Sequence, residues 1–126
     1  MGTVPRMLRF RVLTFDAVDP RAQARFWAAA LGWECNDVRG EVGVLPPADG
    51  PWDVHLLFMP VEEPRTVKNR CHPDLHTDDL DGEVSRLVGL GATVEAWHQE
   101  QSRWAVLTDP EGNEFCVVQP AAQFAR

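Results

Sequence analysis

The sequence has 126 residues, the size of one compact domain, and is 44% hydrophobic and 25% charged. This composition excludes extensive disorder, and the formal charge of −7 disfavours a nucleic-acid or anionic-membrane surface. No apolar stretch reaches the roughly 18 residues of a membrane span. The three cysteines lack CxxC spacing, which is typical of a reduced cytoplasmic protein. We therefore expect one cytoplasmic domain spanning 1–126, without nucleic-acid or membrane partners.

The first half of the chain predicts a strand, a helix and three further strands. Residues 8–19 are rich in Phe, Val, Leu and Thr, as buried strands are. They end at Asp19-Pro20, where an N-cap acceptor precedes proline at the first helical position. The Ala-rich segment 21–31 predicts the helix, which ends at Gly32. Three strand-like segments follow, separated by Gly- and Pro-containing turns: 33–38, 41–45 and 54–61.

The second half repeats this order after a connection near residues 62–69. Segment 71–77 predicts a short strand, and Asp79 caps a helix over 80–90 that ends at Gly91. The apolar residues of this helix form one amphipathic stripe. Three strand-like segments follow the helix: 92–98, 104–108 and 114–119.

The repeated order predicts an α+β fold built from two βαβββ modules, about residues 8–61 and 70–119. One four-stranded unit cannot bury both its helix and its opposite sheet face. Two units side by side can form one curved sheet around a cavity. We therefore expect a cupped, eight-stranded mixed sheet with the helices outside.

Three segments carry a family likeness in the expected order: FDAVDPRAQARFWAAALGWE, KNRCHPDLHTDDLDGEVSRLVGLGATV and WAVLTDPEGNEFCVV. Together they resemble the vicinal oxygen chelate superfamily, and within it the glyoxalase-like and bleomycin-resistance-like proteins, over residues 8–119. The resemblance implies the glyoxalase/bleomycin resistance/dioxygenase fold, a small-molecule ligand in the cup of the sheet, and a homodimer. It does not decide the activity, because the superfamily includes lyases, dioxygenases, epimerases and simple drug-binding proteins.

The resemblance also implies where metal-using relatives hold a divalent ion. The matching positions here are Val12, His72 and Cys116, with His55 as the one ligand type on the last strand of the first half. Valine cannot bind a metal ion, and the thiol of Cys116 stands where a glutamate is usual. We therefore expect no metal cofactor. The alternative is one divalent metal ion at His72.

A polar cluster marks the first strand of the second half. His72, Asp74 and His76 alternate along the predicted strand, so they should face the same side. They form either a metal-binding or acid–base cluster in the cavity, or a histidine bonded to a buried carboxylate. His72 and Asp74 are the candidate catalytic residues.

Two further polar candidates lie on the predicted strands. Asp16 shares a face with Thr14, and lies either at the cavity mouth or paired with Arg11 or Arg103. Cys116 is either a small buried thiol or a nucleophile activated by a histidine. The sequence leaves both alternatives open.

Aromatic side chains are the remaining candidates. Trp27 lies on the predicted first helix, as a core residue or a dimer contact. Four others frame the cavity or belong to the core: Trp33, Trp52, Trp97 and Trp104. An aromatic lining suits a flat or apolar ligand. The predicted ligand-binding set is Thr14, Asp16, Trp33, Phe58, His72, Trp104 and Cys116.

Two functions are compatible with these residues. The first is a glyoxalase-like protein that binds a small organic molecule in the cavity without metal. The second is an enzyme, a lyase, isomerase or dioxygenase, that uses His72 on a small oxygenated substrate. No P-loop, GxGxxG, HExxH or serine elbow occurs, so the sequence gives no support to nucleotide hydrolysis, dinucleotide chemistry or serine hydrolysis.

Overall fold

Each half of the chain folds as a strand, a helix and three further strands. The computed structural model describes residues 8–122, apart from the side chain of Val38; the ends of the predicted 1–126 domain lie outside this range. The first module comprises β1 (Val12–Ala17), α1 (Pro20–Leu31), β2 (Glu34–Val38), β3 (Glu41–Leu45) and β4 (His55–Pro60). The second comprises β5 (Asp74–His76), α2 (Leu80–Leu90), β6 (Thr93–Gln99), β7 (Arg103–Thr108) and β8 (Glu114–Gln119).

The two predicted βαβββ modules are confirmed, and each forms its own mixed sheet. The strand orders are β1-β4-β3-β2 and β5-β8-β7-β6. In both sheets the first strand pairs in parallel with the last, and the other pairings are antiparallel. The eight strands are thus divided between two four-stranded sheets, each with its first strand at one edge.

Both helices begin and end where the sequence places their caps. The carboxylates of Asp19 and Asp79 each accept a hydrogen bond from the backbone N–H three residues further on, at 3.1 Å. Pro20 occupies the first turn of α1, and Gly32 ends that helix with φ of 71°, a conformation that glycine adopts without strain. Gly91 ends α2 with φ of 123°, which is also positive.

One hydrophobic core joins the two modules. Phe26 and Trp27 of α1 pack on Phe115 of β8, with ring centroids 6.2 and 5.0 Å apart. Phe15 stacks on Phe58 at 5.5 Å within the first module. Trp27 is 2% exposed, so it is a core residue and not a dimer contact.

The predicted DPEGN turn, residues 109–113, also connects the modules. Asp109 accepts hydrogen bonds from side chains of α1, and the carboxylate of Glu111 accepts from the backbone N–H groups of Val18 and Asp19, both at 2.8 Å. Thus the turn of the second module holds the start of the first helix. No helix within residues 8–122 is long and apolar enough to cross a membrane.

Two strands are shorter than predicted. The first covers residues 12–17 of the expected 8–19, and β5 covers 74–76 of the expected 71–77. Pro73 explains the late start of β5, because proline has no backbone N–H to add to the sheet. Its carbonyl still accepts a hydrogen bond from the Cys116 N–H at 2.9 Å.

Candidate functional site

Two cavities adjoin the open edges of the first strands. The cavity that we name the β1 cavity has a volume of about 730 Å³ and is lined by residues 13–16, residues 64–73 and Asn113. The other, named the α1–α2 cleft, has about 560 Å³ and lies between the end of α1, the start of α2 and the β5 edge. Both volumes are within the range of small-molecule sites in proteins, about 300–1,000 Å³.

The β1 cavity brings together three predicted site residues, Thr14, Asp16 and His72. Asp16 is exposed at this cavity, and neither predicted cation pairs with it. Arg11 instead faces Asp53, and Arg103 contacts Asp81. The structure therefore favours the cavity-mouth alternative for Asp16.

The outer wall of the β1 cavity is a connection fixed by polar contacts, residues 64–73. The Arg65 guanidinium donates to the Gly112 carbonyl at 2.6 Å and to the Glu114 carboxylate at 2.9 Å. Asn69 donates its backbone N–H to Glu114 at 3.0 Å and its side-chain amide to Asn113 at 2.8 Å. Residues 64–69, which the sequence presents only as a connection, thus belong to a cavity wall that these hydrogen bonds hold in place.

Glu114 is the acceptor at the centre of this wall. Burial alone would raise its pKa, but the backbone N–H of Asn69, its own backbone N–H and the charges of Arg65 and His72 outweigh burial and lower the pKa. The ionised Glu114 carboxylate is therefore occupied by its contacts with Arg65 and Asn69 in the wall. It is not free to act as a proton acceptor for a ligand.

His72 and Asp74, the two predicted catalytic residues, line different cavities. His72 precedes β5 and lines the β1 cavity, whereas Asp74 begins β5 and lines the α1–α2 cleft together with His76. His72, Asp74 and His76 are all exposed and the residues between them are partly buried, so the predicted alternation extends back to His72 although the strand itself begins at Asp74.

Cys116 is the cross-strand neighbour of Asp74. Burial raises the pKa of the Cys116 thiol, and the charge and hydrogen bond of Asp74 raise it further; the Lys68 charge lowers it in part. A raised pKa keeps the sulfur protonated near neutral pH, and the thiolate is the nucleophilic form. The structure thus favours the unreactive thiol over the nucleophile.

The aromatic candidates fall in three different places. Trp33 lines the α1–α2 cleft beside Trp52, with ring centroids 6.0 Å apart. Trp104 stacks on His98 at 4.9 Å on β7 and β6, and does not belong to the lining of either cavity. Phe58 is fully buried in the core, so we correct its assignment as a ligand contact. Its strand alternation places it on the helix side of the sheet.

Two charged residues of the α1–α2 cleft, Arg86 and Glu83, have structural partners. Arg86 of α2 donates to the backbone carbonyls of Ala29 and Ala30, at 3.0 and 2.9 Å, where α1 leaves its last carbonyls unpaired. It also pairs with Glu83 at 2.8 Å, and this hydrogen bond lowers the pKa of Glu83. Arg86 and Glu83 therefore serve the junction of the two helices.

The residues at the metal positions of relatives do not fit an ion. Val12 offers no donor and pairs in register with His55, while Cys116 lies on the other sheet. Across residues 8–122, no group of three or more His, Cys, Asp or Glu side chains is placed to hold a metal ion. A stable site needs about three or four such ligands.

Comparison with solved structures identifies the same fold. The fosfomycin resistance protein FosX from Mesorhizobium loti has a TM-score of 0.71 and 16% identity, over 94% of this chain and 97% of that one. A glyoxalase/bleomycin resistance/dioxygenase family enzyme from Burkholderia phytofirmans PsJN has a TM-score of 0.70 and 18% identity, over 86% and 95%. TnmS3, an antibiotic binding protein from Streptomyces sp. CB03234, has a TM-score of 0.63 and 20% identity, over 94% and 100%.

At these identities the likeness concerns the fold alone. No curated protein matches the sequence. The family comparison is specific: residues 12–118, almost the whole of both modules, match the model of the glyoxalase-like domain. The chain therefore belongs to the glyoxalase-like domain family of the vicinal oxygen chelate superfamily.

Proposed function

We propose that this protein binds a small organic molecule in the β1 cavity. The observation that carries the proposal is that Thr14, Asp16 and His72 line one cavity of about 730 Å³. The remaining lining includes apolar residues such as Leu13 and Val67. An apolar surface with a few convergent polar groups is the usual composition of a small-molecule site.

The structural neighbours support a binding role. TnmS3 is an antibiotic binding protein and FosX a fosfomycin resistance protein, and both share this fold. We propose that the ligand is bound without metal, since Val12, which offers no donor, stands at a position where the resemblance implies a metal ligand, and no group of three or more His, Cys, Asp or Glu side chains within residues 8–122 is placed to hold an ion. His72 then contacts the ligand directly, as a donor or an acceptor of a hydrogen bond.

Filling the cavity tests this proposal. The neutral fluorescent probe N-phenyl-1-naphthylamine, which brightens in apolar sites, should bind the unmodified protein. Thr14→Trp should weaken its binding on the order of tenfold or more, because the indole occupies the space of the probe. Probe titration followed by fluorescence measures the effect.

Thr93→Trp supplies the matched control. Thr93 is exposed on β6, outside the lining of the β1 cavity. This variant should bind the probe as the unmodified protein does, and circular dichroism should show that both variants are folded. Equal affinity of the Thr14→Trp variant and the unmodified protein would contradict the assignment of the cavity.

One observation favours a second candidate function, an enzyme of the lyase, isomerase or dioxygenase type. His72 and Asp16 line the same cavity, and imidazole and carboxylate groups exchange protons with bound substrates in many enzymes. Of these reactions, an isomerisation by proton transfer needs no metal ion. The two functions differ in one respect: a binding protein returns its ligand unchanged, whereas an enzyme converts it.

We also propose that the protein is a homodimer. The first strand of each sheet pairs on one side only within the chain, and Val12 and Met59 on neighbouring strands are exposed. Unpaired strand edges favour association, and a second copy can cover them symmetrically. Sedimentation at micromolar concentration should give twice the chain mass; a species of 14.1 kDa alone would contradict the dimer.

A cytoplasmic location is proposed from the cysteines. Cys35 and Cys71 are exposed free thiols, and Cys116 is a half-buried one. Thiols of this kind persist in reducing compartments.

A further inference from the structure

The lining of the β1 cavity carries a charge opposite to that of the whole chain. Arg65, Lys68 and Arg70 line it against one carboxylate, Asp16, whereas the chain has a net charge of −7. Lys68 is the only lysine of the sequence. A cationic site on an acidic protein attracts anions locally while the rest of the surface repels them.

Two of these cations remain available for a ligand. Arg65 is neutralised by Glu114 at 2.9 Å. Lys68 and Arg70 form no ion pair within residues 8–122, although most arginines of this range do. Their charges therefore act on whatever enters the cavity.

The positions of the two cations are held by the residue between them. Asn69 is bonded through its backbone to Glu114 and through its side chain to Asn113, so the segment from Lys68 to Arg70 is tied to the DPEGN turn. Lys68 lies near enough to Cys116 for its charge to act on that thiol. A fixed backbone reduces the entropy lost when the side chains close on a ligand.

The rest of the lining suits an apolar body. Leu13 and Phe15 of β1 line the inner wall, and Val67 stands on the outer wall with 74% of its surface exposed. The cavity thus combines an apolar wall with two unpaired cations.

Resting on the proposed function of this cavity, we propose that its ligand is an organic anion. An oxyanion head group, such as a carboxylate, phosphate or sulfonate, contacts Lys68 and Arg70, and an apolar body lies against Leu13, Phe15 and Val67. Arg70 can hold such a group with two parallel hydrogen bonds, and Lys68 adds a point charge.

A pair of matched probes tests the proposal. 8-Anilinonaphthalene-1-sulfonate carries the aromatic body of N-phenyl-1-naphthylamine together with a sulfonate. The double variant Lys68→Gln, Arg70→Gln should weaken binding of the sulfonate probe on the order of tenfold and change the affinity of the neutral probe by less than about twofold. Raising the salt concentration should weaken the binding of the sulfonate probe alone.

The control removes the same charge elsewhere. Arg25→Gln, Arg39→Gln changes two exposed arginines outside the cavity and should leave both affinities unchanged. If neither probe binds the unmodified protein, the proposed function fails and this inference with it. A different outcome would overturn only the inference of an anionic ligand. In that outcome the neutral probe binds the unmodified protein and binds the Thr14→Trp variant more weakly. The double variant at Lys68 and Arg70, however, lowers the affinity of neither probe or of both probes equally.

Discussion

Replacing Asp109 by alanine is expected to lower the free energy of unfolding by about 3–5 kcal/mol. Asp109 is only 3% exposed, yet its carboxylate accepts from Gln23 at 2.8 Å and from the Trp27 indole at 3.0 Å. It also accepts from the backbone of Glu111 and from both the backbone and the side chain of Asn113, at 2.9–3.1 Å. Alanine would leave several buried donors without acceptors.

Denaturant unfolding measures this effect, with two further variants. Asp109→Asn keeps the shape but replaces one acceptor oxygen by a donor, so we expect a smaller loss, about 2–3 kcal/mol. Asp49→Ala removes an exposed carboxylate from the loop between β3 and β4 and should change stability by less than about 0.5 kcal/mol. A loss under about 1 kcal/mol for Asp109→Ala would show that the buried network contributes little.

This network shows what the sequence could and could not reveal. The letters DPEGN predict a turn because Pro and Gly occupy turn positions. Nothing in the local pattern says that Asp109 is buried, because its donors Gln23 and Trp27 lie more than 80 residues away on α1. A polar Gln23 inside an Ala-rich helix was the available signal: it is 0% exposed, and its amide nitrogen donates to Asp109.

Helix ends were the most predictable feature of the fold. The predicted helix over 80–90 agrees with the observed one, because Asp79 and Gly91 act through contacts within a few residues. The association of the strands was less predictable. The alternation of apolar and polar residues determines which face of a strand is apolar, but not which strand edges pair. The sequence therefore predicted one eight-stranded sheet, whereas the structure divides the eight strands between two sheets of four.

The candidate site was predicted only in part for the same reason. Thr14, Asp16 and His72 line one cavity, whereas Asp74 lies on the other cavity and Phe58 in the core. Apart from His72, the outer wall, residues 64–73, was missed as part of the site. The signal was present in the cluster RTVKNR, since a basic run in a chain of net charge −7 invites the question of which anion it faces.

Phe115→Ala is expected to have an effect as large as that of Asp109→Ala, a loss of about 3–5 kcal/mol. The Phe115 ring is fully buried and packs against Phe26 and Trp27 of the other module. Removing it opens a cavity at the junction of the modules, which the surrounding rings cannot fill without leaving their rotamers.

Thermal and denaturant unfolding of three variants would test this expectation. Phe115→Leu keeps most of the side-chain volume and should lower the free energy of unfolding by about 1–1.5 kcal/mol. Phe10→Ala, at a residue 67% exposed, should change it by less than about 0.5 kcal/mol.

We further propose that both modules form one domain over 1–126. The unmodified protein should then unfold in a single transition, whichever probe follows it. Two separate transitions would show that the modules fold independently, and a Phe115→Ala variant as stable as Phe10→Ala would show that their shared core is dispensable.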